Sequence, residues 1–188
     1  MKSIAVYCGS NKGKRPIYAE AAATLGNYLA TQNIDVVYGA GNVGLMGIVA
    51  DSALEAGGRV IGVIPHFLRK WEVCHEGLSE LIIVDSMHER KVEMTRLSQG
   101  AIILPGGFGT LDELFEIITL VQLEQEQQPI GLLNVEGYYD HLIAHLDRMT
   151  EEGFVHSKHR AMVYANADMD KLVKDMNAHV FEKVQKWY

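Results

Sequence analysis

The chain predicts an α/β fold: a single Rossmann-like, doubly wound domain over residues 1–188 around a mainly parallel seven-stranded sheet. Three observations predict it. Short β-branched runs alternate with longer segments of helical spacing, the βαβα order of such a sheet. The runs are nearly all apolar instead of alternating with polar residues, as strands covered on both faces are. Glycine or charge stands just after four of them, at the carboxyl ends where open α/β sheets bind ligands.

The predicted strands are Ser3–Cys8, Asp35–Tyr38, Val60–Ile64, Leu81–Val84, Ala101–Leu104, Ile130–Leu133 and Met162–Ala165. Between the first two, Tyr18, Ala21, Ala22, Leu25 and Leu29 repeat at helical spacing, with Pro16 suited to the first turn. A helix over Leu45–Ala56 stops at Gly57-Gly58. Further helices are predicted over Met87–Ser98, Leu111–Leu123, Tyr138–Thr150 and Met169–Val184. Pro65–Glu80 is the one long connection without a clear period, the kind of segment that forms lids or interfaces. Within it Phe67, Leu68 and Trp71 are suited to a short helix packing on a partner.

Composition narrows the function. The chain is 48% hydrophobic and 22% charged, ordinary for a globular domain with a sizeable core. A net charge of −7 argues against broad nucleic-acid binding, which needs a basic face. Cys8 and Cys74 are far apart and suit a reducing cytoplasm, without a disulfide framework or a CxxC zinc site. The apolar run Ile4–Cys8 is too short for a signal peptide or a membrane span, so the expected location is the cytoplasm, with no membrane partner.

The most informative segment is Pro105-Gly106-Gly107-Phe108-Gly109-Thr110-Leu111-Asp112-Glu113-Leu114-Phe115-Glu116. It joins a buried strand to a helix. Gly106, Gly107 and Gly109 let the backbone approach a ligand, and the free N–H groups of the helix start attract an anion, most often phosphate. Asp112, Glu113 and Glu116 fall within the first two turns of the predicted helix. Thr110-x-x-Glu113 also matches a capping box, so a cap and a catalytic carboxylate compete for Glu113, while Glu116 shares its face.

Gly39-Ala40-Gly41-Asn42-Val43-Gly44 spells G-x-G-x-x-G but follows the second strand, and no acid ends the next one at Ile64-Pro65. A dinucleotide site is disfavoured on that ground, whereas a phosphate or ribose contact through Gly41 is retained. Arg90 and Lys91 start a helix one strand before the glycine-rich segment and point about 100° apart. Either can face the strand mouth, and Arg suits a bidentate grip on phosphate. The eight histidines lack metal-ligand spacing, so no metal is expected. Nucleophile-elbow and Walker patterns are missing too.

Met87-His88-Glu89-Arg90-Lys91 together with Pro105-Gly106-Gly107-Phe108-Gly109-Thr110-Leu111-Asp112-Glu113 resembles the paired signature of the LONELY GUY (LOG) family of cytokinin riboside 5′-monophosphate phosphoribohydrolases. Tyr7-Cys8-Gly9-Ser10 and Gly44-Leu45-Met46-Gly47 resemble its first two loops, and the likeness runs on to Gly137-Tyr138-Tyr139-Asp140. The family often carries the label "lysine decarboxylase", but no lysine here sits in a recognisable pyridoxal phosphate site. The resemblance implies cleavage of the N-glycosidic bond of a nucleoside 5′-monophosphate, without a cofactor, by a homodimer. It implies Arg90 and Glu113 as the catalytic pair, with Gly107, Gly109 and Thr110 on the phosphate. Gly9, Ser10, Gly41, Lys91, Gly106 and Glu116 complete the expected substrate contacts. Where this sequence has Ala40 the family usually has glycine, so a positive φ there would strain it.

The chemistry stands on physical grounds as well. Breaking a ribosyl bond builds positive charge on the sugar, and a carboxylate beside the anomeric carbon stabilises that charge and activates water. Glu113 is assigned this task, with Glu116 as substitute or helper, and Arg90 neutralises the leaving base or fixes the ribose phosphate. Met94 and Phe108 are candidate walls for the base. The rival reading is a nucleotide sensor without chemistry.

Overall fold

The computed structural model describes residues 1–70 and 74–181. Its seven strands are β1 (Ser3–Tyr7), β2 (Asp35–Tyr38), β3 (Val60–Pro65), β4 (Glu80–Val84), β5 (Ala101–Ile103), β6 (Ile130–Leu133) and β7 (Val163–Asn166). They form one sheet in the order β4-β3-β2-β1-β5-β6-β7, and all of its strand pairs are parallel. The chain winds outward from β1 to β4, then returns to the other side of β1 with β5. The switch point between β1 and β5 opens a crevice at their carboxyl ends.

The helices are α1 (Pro16–Thr31), α2 (Gly44–Glu55), α3 (Met87–Leu97), α4 (Phe108–Gln122), α5 (Asp140–Glu151), α6 (Ser157–Arg160) and α7 (Met169–Asn177). Two cores cover the sheet. One packs Leu25, Leu29, Val49 and Leu172 against Ile4, Val36 and Ile102; the other packs Met94, Leu114, Ile117 and Leu146 against Ala5, Val37 and Ile103. Because successive strand residues point to opposite faces, β1, β2, β3, β5 and β6 are buried on both sides, as their apolar runs predict. β4 departs from that pattern. It is an edge strand, with Glu80 and Ile83 exposed.

Helix ends differ from the sequence expectation for local reasons. α4 begins at Phe108, three residues before the predicted Leu111, because Gly107 takes the extended N-cap conformation and releases the next residues into the helix. α5 starts at Asp140 instead of Tyr138: Glu136 and Gly137 have φ of 51° and 72°, and the Asn134 side chain accepts from the Tyr139 N–H at 2.7 Å. α7 stops at Asn177 where a helix to Val184 was predicted. The chain beyond it turns toward β7, where the Tyr164 hydroxyl meets His179 Nδ1 at 2.6 Å and Phe181 packs edge-on against the His179 ring. Residues 182–184 of that prediction lie outside the described residues.

The long connection after β3 holds a 3₁₀ turn at Leu68–Lys70, close to the predicted short helix; Trp71 lies outside the described residues. Its later part is pinned to the loop after β2. Cys74 bridges Gly41, the His75 N–H donates to the Ala40 carbonyl at 3.0 Å, and His75 Nε2 meets Asp51 at 2.9 Å.

Candidate active site

The crevice at the switch point is a cleft of about 520 Å³. Loop 8–13 after β1 forms one wall and loop 105–107 with the first turns of α4 forms the other. The walls are tied together: the Gly9 N–H donates to the Pro105 carbonyl at 3.0 Å, and the Leu45 N–H to the Gly9 carbonyl at 3.0 Å. Of the predicted residues, Gly9, Ser10, Arg90, Gly106, Gly107, Gly109, Thr110 and Glu113 line this one cleft.

α3 delivers Arg90. Ser86 caps the helix by accepting from the Glu89 N–H at 3.1 Å, and Arg90 lies one turn in. Arg90 as a residue is only 5% exposed. Nη2 donates to the Gly39 carbonyl at 3.0 Å and Nη1 approaches the Met87 sulfur at 3.8 Å, but buried Nε has no partner. A buried cation with an unused donor costs free energy unless an acceptor arrives. Arg90 also lines the cleft, so its guanidinium lies at the wall where a polar ligand atom could supply an acceptor. Gly39 makes this burial possible. A Cβ there would lie 1.7 Å from Arg90 Nη2.

α4 delivers the other half. Gly107 and Gly109 have nothing within 4 Å of where a Cβ would stand, and no side chain caps the helix. Its first N–H groups therefore face the cleft without an intrahelical partner, at the positive end of the helix dipole. The early start of α4 also corrects the capping-box reading. Thr110 is the third helical residue, not the cap, and its buried side chain packs against Gly106. Glu113 is then the sixth residue of the helix, too far along to reach back to the N-cap. It lies four residues beyond Gly109 on the same face, about 6 Å along the axis. Glu116 moves with the shift to the ninth position, in the third turn instead of the first two.

Three expected contacts lie elsewhere. Lys91 points away from Arg90, donates to Asp112 at 2.8 Å and pairs with Glu116. Burial works against its charge, but the two carboxylates raise the ammonium pKa above its ordinary value. Lys91 and Glu116 thus sit behind the cleft, around a cavity of about 10 Å³ that Glu113, Tyr7 and Thr95 share. Gly41 is buried beneath Met46, where a Cβ would come within 2.7 Å of the methionine methyl, and contributes to the cleft through Met46. Met94 is core, 1% exposed, whereas Phe108 stands 94% exposed at the cleft lip.

Two neighbouring groups are inert. Burial first, then the nearby Glu113 charge, push the Tyr7 phenol and the Cys8 thiol far above their ordinary pKa values, so both stay neutral. Sequence reasoning missed Lys12, Tyr18 and Leu68 as cleft residues. Lys12 lies a few residues past a strand end, a usable signal; Tyr18 and Leu68 arrive only through tertiary packing. Among the described residues, no group of three or more His, Cys, Asp or Glu is arranged to hold a metal.

Fold and cleft together define a Rossmann-like protein with an anion cradle, a buried arginine and a carboxylate at its switch point. A family model described as "possible lysine decarboxylase" matches residues 46–176. Cytokinin riboside 5′-monophosphate phosphoribohydrolase LOG4 of Arabidopsis thaliana is 46% identical over 94% of this chain and 82% of its own length. The probable cytokinin riboside 5′-monophosphate phosphoribohydrolase LOGL9 of Oryza sativa subsp. japonica is 45% identical over 95% and 79%. The chain belongs to this family, the LOG family. Among solved structures, the molybdenum cofactor binding protein of Rippkaea orientalis aligns with TM-score 0.66 at 18% identity, covering 95% of this chain and 97% of that one. The molybdenum cofactor carrier protein of Chlamydomonas reinhardtii aligns with TM-score 0.66 at 20%, covering 94% and 98%. At those identities the likeness is one of fold.

Proposed function

We propose that this protein hydrolyses the N-glycosidic bond of adenosine 5′-monophosphates, N6-substituted cytokinin precursors included, releasing an adenine-type base and ribose 5-phosphate. The observation that carries the reading is the convergence of buried Arg90, Glu113 and the open α4 N-terminus on one cleft. The activity named for relatives about 45% identical supports the substrate class.

The geometry fits the chemistry. Phosphate binds the N–H groups at Gly107, Gly109 and Thr110, and its binding energy orients the ribose. The rise of about 6 Å from Gly109 to Glu113 is comparable with the span of a ribose from 5′-phosphate to anomeric carbon. Glu113 then stabilises the developing oxocarbenium charge and takes a proton from the attacking water. Arg90 acts from the cleft wall as a fixed positive charge, against negative charge developing on the base or held on the phosphate. The cleft's own residues suffice for these roles, and we expect turnover to persist in a chelator.

We read the whole chain as one domain that acts in the cytoplasm as a homodimer. α3 and α4 lie side by side through the Lys91 pairs and expose Val92, Phe115 and Leu123, apolar area suited to a second copy. The expected partner is one small nucleotide, not a nucleic acid, in keeping with the net charge of −7. No helix among the described residues is long and apolar enough to cross a membrane.

The test is to incubate purified protein with AMP and with N6-isopentenyladenosine monophosphate, plus chelator, and separate the products. Free base with equimolar ribose 5-phosphate is expected. Binding of both nucleotides without base release would replace the hydrolase with a sensor.

A further inference from the structure

The anion cradle is built from glycines, and glycine peptides flip easily because neither residue has a Cβ to restrict φ and ψ. A flip of the Gly106–Gly107 peptide would turn a carbonyl oxygen toward the bound phosphate and a donor away from it. Something must hold that plane. The carbonyls of this segment are each tied from outside. Leu104 accepts from the Tyr139 hydroxyl at 2.6 Å, Pro105 from the Gly9 N–H at 3.0 Å, and Gly106 from the Tyr138 hydroxyl at 2.6 Å.

The three ties differ. Tyr139 is 2% exposed and anchors the strand end. The Gly9 bond is backbone to backbone and joins the two walls. Tyr138 alone combines a place in the cleft lining with a side-chain bond to a glycine carbonyl. Its ring is fixed edge-on between Tyr139, 4.9 Å between centroids, and Tyr18, 5.7 Å away. Tyr18 in turn abuts Gly13 of the β1 loop and lies 5.8 Å under the Arg15 guanidinium. Arg15 bonds Glu136 at 2.8 Å, which returns to the turn that carries Tyr138.

We propose that Tyr138 is a positioning residue whose hydroxyl latches the Gly106–Gly107 peptide in the donor-facing orientation, so that the cradle is set before a phosphate arrives. In a trans peptide the N–H points opposite to the C=O, so fixing the Gly106 oxygen fixes the direction of the Gly107 N–H. The hydroxyl bears on phosphate affinity, not on bond cleavage. The inference rests on the nucleotide reading of the cleft.

Tyr138→Phe removes one hydroxyl and keeps both ring contacts. AMP and adenosine are titrated calorimetrically into wild type and variant, with KM, kcat and base release recorded in parallel. The variant is expected to bind AMP about tenfold more weakly, the size of one charge-assisted contact, with KM raised in proportion and kcat lowered less than about threefold. Adenosine, which has no phosphate, should bind both proteins alike. A wild type that binds AMP without releasing base, alongside a variant with this AMP-selective loss, would remove the hydrolase and keep the latch. Equal AMP affinity in the two proteins overturns the latch, whatever the wild type hydrolyses. So does an equal loss for AMP and adenosine, which would mark a general distortion, or a wild type that binds no AMP. Tyr138→Leu, which removes the ring too, should show the same AMP-selective loss plus a lower melting temperature; a lower melting temperature with unchanged AMP selectivity again overturns the latch.

Discussion

Two glycine-rich loops follow strands of this sheet, and they do opposite things. The loop after β2, Gly39 to Gly44, has the more familiar spelling, yet its glycines are packed solid: a Cβ at Gly39 would strike Arg90 at 1.7 Å, at Gly41 Met46 at 2.7 Å, and at Gly44 the Ser10 carbonyl carbon at 2.2 Å. The loop after β5 is packed only at Gly106, where a Cβ would meet Thr110 at 2.1 Å, and is open beyond it, with nothing within 4 Å of a Cβ position at Gly107 or Gly109. The first loop gives up side chains so that protein can approach protein and Arg90 can be buried. The second gives them up so that a ligand can approach. Glycine spacing is blind to that difference; the space around each Cβ position is not.

The comparison predicts a graded series. Gly39→Ala should be the most damaging. It displaces the buried guanidinium and should cut kcat at least about a hundredfold, as losing an electrostatic catalytic group does. Steady-state turnover with AMP checks this, and near wild-type activity would mean that Arg90 has room the packing does not show. Gly109→Ala should separate binding from folding. The residue is the second of α4, where alanine gains up to about 1 kcal/mol of helix propensity. A methyl in the open cradle should nevertheless weaken nucleotide about tenfold, the cost of roughly one good hydrogen bond to a charged group. Calorimetry and thermal melting read the two effects, and unchanged affinity would place the phosphate elsewhere.

Ala40→Gly should do little. Ala40 has φ 63° and is fully buried, so relief of about 1 kcal/mol of left-handed strain is offset by a lost methyl and a looser unfolded chain. Denaturant melts should agree within about 1 kcal/mol on that balance. The smallest effect is chemical. Burial and the Glu113 charge raise the Cys8 thiol pKa, so at pH 8 the native protein should carry almost no thiolate there. Mass spectrometry after brief alkylation should find Cys8 modified only once the chain is unfolded.

The sheet was legible because apolar runs at strand length and helical spacing between them are local signals, and β1, β2, β5 and β6 fall where those signals stand. The cleft was legible as the carboxyl ends of β1 and β5. Less legible was which neighbour faces in. Arg90 and Lys91 are adjacent in sequence, and only the packing of α3 against Gly39 on one side and α4 on the other sends them apart. The Thr110-x-x-Glu113 spelling misplaced the cap because Gly107, without any capping side chain, starts the helix earlier. Tyr18 reads as part of a helix's apolar stripe and Leu68 as part of a partner-packing turn, with nothing to point either at the cleft; the fold brings them there from α1 and the turn after β3.

The most direct test of the account is one substitution, Glu113→Gln, followed by single-turnover assay with saturating N6-isopentenyladenosine monophosphate. Glu113 faces the cleft from mid-helix, beyond reach of the N-cap, and glutamine keeps its shape, so the variant should stay folded and bind nucleotide within about threefold. Base release should be slower by at least about a hundredfold, the range for a lost general base. Wild-type release from the variant would contradict the assignment of the chemistry to Glu113, and with it the account of this cleft.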